Sequence, residues 1–201
     1  MPQKTNTKKE KSTRTKAKKI YQIKITLEGI KPPIWRRVQV LNTMSLASFH
    51  YVIQDTMGWY NAHLHQFIAE SGYYGMPTDD MGIFDDNLKD ESDFTIADLL
   101  KKEKAAIRYE YDFGDSWHHK IELEKILPFD ENIKLPVCLK GKRNCPPEDC
   151  GGIWGYQDLL EIISDPDHEE YESTIEWLEE EEEFDPEAFD IDYVNRMLRR
   201  D

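Results

Sequence analysis

Cysteine is scarce in this sequence: three thiols in 201 residues, an odd number and no close C-x2-C pair. That excludes a disulfide framework as the source of stability and leaves a sulfur-rich zinc site without its usual spacing. Long apolar runs are missing too. No segment approaches the ~20 apolar residues of a membrane-spanning helix, and the N-terminal stretch has no apolar core of a signal peptide. Glycine-rich phosphate cradles are absent: Gly72 and Gly75 form neither G-x-x-x-x-G-K-[ST] nor a strand-linked G-x-G-x-x-G. Nucleotide hydrolysis and dinucleotide redox chemistry therefore lose their common handle. The expectation is a cytoplasmic protein with reduced thiols and no membrane contact.

Positive charge is confined. Residues 1–19 hold eight Lys and Arg and a single acid, whereas the remainder sets 18 Lys and Arg against 39 Asp and Glu, a net of −21. Such a body repels phosphate backbones, so nucleic-acid contact is expected only through residues 1–19, a Lys/Thr/Ser-rich tail predicted to be disordered. A chain of this length can bury roughly 70% of its unfolded surface, enough for one core with extensions.

The organising stretch is Arg108 to Glu124. Tyr109, Tyr111 and Phe113 alternate with Arg108, Glu110 and Asp112, and after Gly114-Asp115-Ser116 the alternation resumes with His119, Ile121 and Leu123. This predicts a β-hairpin with one buried face, its reversal supplied by Gly114 and by Asp115 bonding within its own turn. His119 falls on the apolar side, as a satisfied core histidine or as part of a site.

Upstream, Ile20 to Glu28 alternates as a strand, Gly29 to Pro33 breaks it, and Ile34 to Leu41 resumes, giving a first hairpin with Arg36 and Arg37 in the returning strand. Ser45 is placed to cap a helix carrying Leu46, Phe49, Ile53 and Met57 and ending near Gly58. His63, His65 and Phe67 are read as one strand face. Residues 71–93 read as an irregular excursion with a short strand near Tyr73 and Tyr74, followed by a capping box at Thr95 to Asp98. Beyond Pro128 comes a Cys/Pro/Gly-rich loop over 135–156, a helix from Gln157 to Ile163, and an acidic helix displaying Tyr171, Ile175 and Leu178. A final helical patch at Phe189, Val194, Met197 and Leu198 is expected to dock on the core.

The order of elements predicts an α+β fold, a β-grasp-like (ubiquitin-like) mixed sheet wrapping one main helix. The expected division is a basic tail at 1–19, a core at 20–127, and a loop with acidic helices at 128–201 packed as part of the same domain.

For chemistry, two strand histidines, His63 and His65, can reach one ion, with His119, Asp115, Cys138, Cys145 and Cys150 as further ligands; zinc is the metal such a sulfur and nitrogen set would choose. Cys145, in a loop with Lys140, Lys142 and Arg143, is the candidate nucleophile, though no motif names its base. Glu148 and Asp149 are an acid pair or caps of the following helix, and capping is the expected role. Trp35, Trp59, Trp117 and Trp154 sit beside turns, as core edges or as the lining of an aromatic pocket.

Several segments together resemble a known family: Gly29-Ile-Lys-Pro-Pro-Ile-Trp-Arg-Arg37, Met57-Gly-Trp59, His63-Leu-His65, Tyr111-Asp-Phe-Gly-Asp-Ser-Trp-His-His119 and Cys145-Pro-Pro-Glu-Asp-Cys-Gly-Gly152. They are similar to the family named for the third open reading frame of a root-inducing plasmid, whose members also carry passenger or resolvase-like labels from insertion elements. The resemblance covers residues 20 to about 198 and places His63, His65, Asp115, Trp117, His119, Cys138, Cys145, Glu148 and Asp149 at motif positions. It implies no catalytic role for any of them. A serine recombinase would need a nucleophilic serine among arginines and a basic DNA-binding domain, which this acidic body lacks. The expectation is a non-enzymatic binding or adaptor module, without a cofactor and with a protein or small-molecule partner. The alternative is a metal-dependent hydrolase or nuclease using His63, His65 and His119 with Asp115 or the cysteines.

Overall fold

The computed structural model describes residues 17–77, 87–179 and 184–200. Most of the basic tail, the middle of the 71–93 excursion and the acidic run at 180–183 lie outside them.

The first hairpin pairs β1 (Lys19–Leu27) with β2 (Trp35–Leu41). Tyr21, Ile23, Ile25 and Leu27 face inward from β1, and Val38 and Val40 from β2, as period-two alternation requires. The helix α1 (Leu46–Met57) lies across that apolar face. Ser45 Oγ accepts the Ser48 amide at 3.0 Å, and Gly58 ends the helix at φ 95°, a left-handed conformation that suits glycine.

Five further strands join: β3 (His65–Ala69), β4 (Gly72–Gly75), β5 (Leu88–Asp90), β6 (Ala106–Tyr111) and β7 (Trp117–Pro128), with β8 (Val137–Lys142) on the far edge. The sheet order is β5-β4-β3-β6-β7-β1-β2-β8. Its pairings are antiparallel except β4 with β5. The architecture is thus α+β, with an eight-stranded mixed sheet. Between β5 and β6 a short 3-10 turn (Glu91–Asp93) leads to α2 (Ile96–Leu99), where Asp98 Oδ2 accepts the Thr95 amide at 2.8 Å.

The central hairpin forms, but its turn works differently from the sequence expectation. The chain leaves strand alternation at Asp112, whose φ of 55° rotates its carboxylate inward and sends Phe113 out to solvent. Positive φ falls on Asp112 and Ser116, not on Gly114. Asp112 Oδ1, not Asp115, accepts the turn amide of Gly114, at 2.8 Å. A short polar side chain that bonds its own backbone tolerates this conformation.

Three helices close the chain: α3 (Gly152–Ser164), α4 (Tyr171–Glu179) and α5 (Ile191–Met197). Helix α3 starts five residues earlier than expected. A Cβ on Gly152, at φ 68°, would lie 2.6 Å from the Asp115 carbonyl, so only glycine lets the helix start this close to the hairpin turn. Leu178, Val194 and Leu198 are buried in the common core. Among the described residues, no helix is long and apolar enough to cross a membrane.

Candidate functional site

Three segments meet where the sheet ends: the turn after α1, the tip of the β6–β7 hairpin, and the Cys/Pro/Gly-rich loop. Trp59 Nε1 donates to Pro146 O at 2.9 Å, and the Tyr60 amide donates to Glu148 Oε1 at 2.8 Å. Tyr111 Oη accepts the Ala62 amide at 3.0 Å and donates to Glu148 Oε1 at 2.9 Å. Asp115 Oδ2 accepts the Gly151 amide at 3.1 Å. Each loop therefore satisfies polar groups of another, and their positions are fixed jointly.

His63 stands at the junction. Its Nε2 lies 3.0 Å from Asp149 Oδ1, 3.7 Å from Glu148 Oε2 and 3.8 Å from Asp112 Oδ2. The atom is sealed from solvent, and none of these approaches has hydrogen-bond alignment. Ligand atoms of His63, Asp112 and Asp149 all fall within 4.8 Å of one another. Three carboxylates around one imidazole leave negative charge in excess, even with the ring protonated. Burial raises the Glu148 pKa, against the pull of the Tyr60 and Tyr111 hydrogen bonds and of His63.

A cavity of about 440 Å³ opens on the other side of Glu148. The loop around Cys145 to Pro147, the end of α1 and the segment from Phe184 into α5 frame it, and its wall mixes apolar side chains with polar and charged ones.

A family model described as plasmid pRiA4b ORF-3-like protein matches residues 19–193. The chain belongs to this family. A relative, Uncharacterized protein y4hQ of Sinorhizobium fredii (strain NBRC 101917 / NGR234), is 34% identical over 180 residues, 89% of this chain and 90% of its own. The crystal structure of a protein of unknown function from Methanosarcina mazei Go1 is similar at a TM-score of 0.78 and 39% identity, covering 88% of this chain and 98% of that one. The Methanosarcina mazei protein thus shares the fold across nearly the whole chain, and neither relative's name states an activity.

Within the pRiA4b ORF-3-like fold, the motif residues divide into groups. His63, Asp115, Glu148 and Asp149 converge at the loop junction. Trp117 and His119 lie beneath it as core: the indole rings of Trp59 and Trp117 are 6.0 Å apart, and His119 meets Trp59 edge-on at 5.2 Å. Fully buried, His119 has its pKa depressed to about 3, because desolvation disfavours the charged ring. Cys145 is buried, and desolvation pushes its thiol far up; Cys150 is pushed up to about 12 for the same reason.

Two expectations are corrected. His63 and His65 do not share a ligand position, because β3 begins only at His65 and His63 belongs to the preceding loop. His65 Nε2 pairs with Glu91 Oε2 at 2.8 Å while its ring stacks on His50 at 3.5 Å. Cys138 stands apart on β8, its backbone held by Asn195 of α5 and its Sγ contacting Lys140 O. The six sulfur and imidazole candidates for zinc, His63, His65, His119, Cys138, Cys145 and Cys150, therefore do not gather as one set. Glu148 and Asp149 also do not cap α3, whose N-cap position is Gly151.

Sequence reasoning missed Asp112, Tyr111, Tyr60 and Arg36. Arg36 was within reach: it precedes Val38 and Val40 on the same face of its strand, so alternation alone puts it inside. Nothing local announces Asp112, since its inward turn depends on the left-handed kink.

Proposed function

We propose that the protein is a non-enzymatic binding module of the cytoplasm whose ligand site is the 440 Å³ cavity beside Glu148. The observation that carries this reading is the pairing of a cavity in the ordinary size range of ligand sites with the burial of two candidate catalytic groups, Cys145 and His119. Cys145 is held in its neutral form, and His119 is neutral and sealed; neither can serve as an activated nucleophile or an exchanging base at neutral pH. The scaffold is read as β-grasp-like, with the β1–β2 hairpin wrapped over α1, β7 added antiparallel to β1, and residues 20–201 acting as one domain. Three free thiols agree with a reducing compartment.

Ala188, an exposed residue on the rim, allows a test. Ligand-observed NMR with a fragment library should find binders, and Ala188→Trp should abolish their binding while the far-UV spectrum stays native. A library with no binders, or binders indifferent to the tryptophan, would sink the reading.

The alternative, a metal-dependent hydrolase or nuclease, draws on one specific observation: the convergence of Asp112 and Asp149 on His63. One imidazole with carboxylate oxygens suits a harder divalent ion, such as manganese or magnesium, better than the sulfur-rich zinc set. Titration calorimetry with manganese should then show stoichiometric binding lost in Asp112→Asn and His63→Ala. An absence of heat in the parent protein removes this alternative.

A further inference from the structure

The cavity has an unusual wall. Arg36, 2% exposed, is among the residues that line it. Its Nε donates to Thr56 O at 2.6 Å, and its Nη1 donates to Trp35 O and Lys142 O, both at 3.0 Å. These bonds use three of the five N–H donors of a guanidinium and leave both on Nη2 without a protein acceptor among the described residues. All three acceptors are neutral carbonyls. Among the described residues no carboxylate forms an ion pair with Arg36, although the other arginines that form ion pairs, Arg37, Arg108 and Arg143, each do so with a glutamate.

The surroundings hold this charge in place. Gly141 is the cross-strand partner of Arg36. A Cβ there would come 2.7 Å from Phe189 Cε1, so the missing side chain lets the Phe189 ring settle over the strand pair, 4.4 Å from the guanidinium carbon. Phe189 is itself a cavity residue. A buried cation is costly unless an anion compensates it, and a planar guanidinium with a free nitrogen suits a carboxylate. The rest of the wall sets the ligand's body. Trp59, Phe184, Val194 and Met197 present apolar surface, while Asp55, Glu148 and Asp190 oppose a high negative charge.

We infer that the cavity takes an apolar monocarboxylate, its carboxylate seated on Arg36 Nη2 and its hydrocarbon body against the aromatic wall. This rests on the binding-module reading and adds the chemical class of the ligand. A polyanion such as a nucleotide is disfavoured by the three acids of the wall.

The test compares phenylacetate, phenylacetamide and phenethylamine, which share a ring and differ in the polar end. Ligand-observed NMR and calorimetry should rank phenylacetate about ten- to a hundredfold tighter than the amide, the range of a hydrogen bond to a charged group. Arg36→Lys, which keeps the charge and loses the fork, should erase most of that preference. Should Arg36→Lys fail to fold, the ranking on the unaltered protein, with Ala188→Trp as the blocked control, still decides. Equal binding of acid and amide, or preference for the amine, overturns the carboxylate inference and leaves the cavity reading standing. If none of the three binds, the carboxylate inference falls, and the fragment library decides the cavity reading.

Discussion

Tyr111 donates its hydroxyl proton to Glu148 Oε1 across 2.9 Å and 37 residues of sequence, joining the β6–β7 hairpin to the Cys/Pro/Gly-rich loop. The Tyr111 hydroxyl oxygen also accepts the Ala62 amide, so one phenol organises all three segments of the site. Tyr111→Phe should lower stability by about 1–3 kcal/mol, the cost of leaving buried partners unsatisfied. It should also move the Glu148 pKa further up, because a donor to the charged carboxylate is lost. Urea denaturation measures the first effect and carbon-detected NMR titration of the glutamates the second; an unchanged Glu148 titration would contradict this role.

Acid should destabilise the fold well before ordinary carboxylates titrate. His119 and His50 have folded pKa values depressed to about 3 and about 4, both chiefly by burial. Below about pH 6.5 the unfolded chain takes up protons at these rings and the folded chain does not, so stability present at neutral pH is lost as pH falls toward those values. Between about pH 7 and about pH 5.5 each ring should cost on the order of 1 kcal/mol. Denaturation series at the two pH values should show the slope, and His50→Gln should flatten it.

The thiols should resist alkylation. Burial raises the pKa of Cys138, Cys145 and Cys150, and little thiolate exists at neutral pH. Iodoacetamide should label all three fast in denaturant and slowly in the native protein. Rapid native labelling of Cys145 would reinstate it as a nucleophile.

Two glycines should respond differently to alanine. Gly58 at φ 95° has open space around it, so Gly58→Ala should cost only the left-handed strain, about 1–2 kcal/mol. At Gly155 the added methyl would collide with the Cys150 carbonyl, which is backbone and cannot swing aside. Gly155→Ala should therefore cost more, enough to displace the start of α3 and the loop that carries Glu148. Thermal melts of the two variants settle the order, and equal losses would argue against the tight approach.

The sequence by itself determined the elements whose signals are local. Alternation of Tyr21, Ile23, Ile25 and Leu27 specified a strand with one wet face; Ser45 and Gly58 bounded α1; the hairpin around residues 112–116 was announced by its composition. Tertiary structure decided which side chains meet. A left-handed kink at Asp112 put a carboxylate beside His63, the register of β2 with β8 set Arg36 opposite Gly141, and the long-range bonds of Glu148 made a cavity wall out of a presumed helix cap. Strand periodicity and capping act over a few residues, where each side chain's own geometry dominates. Which distant loops share their polar groups depends on the whole core being packed first.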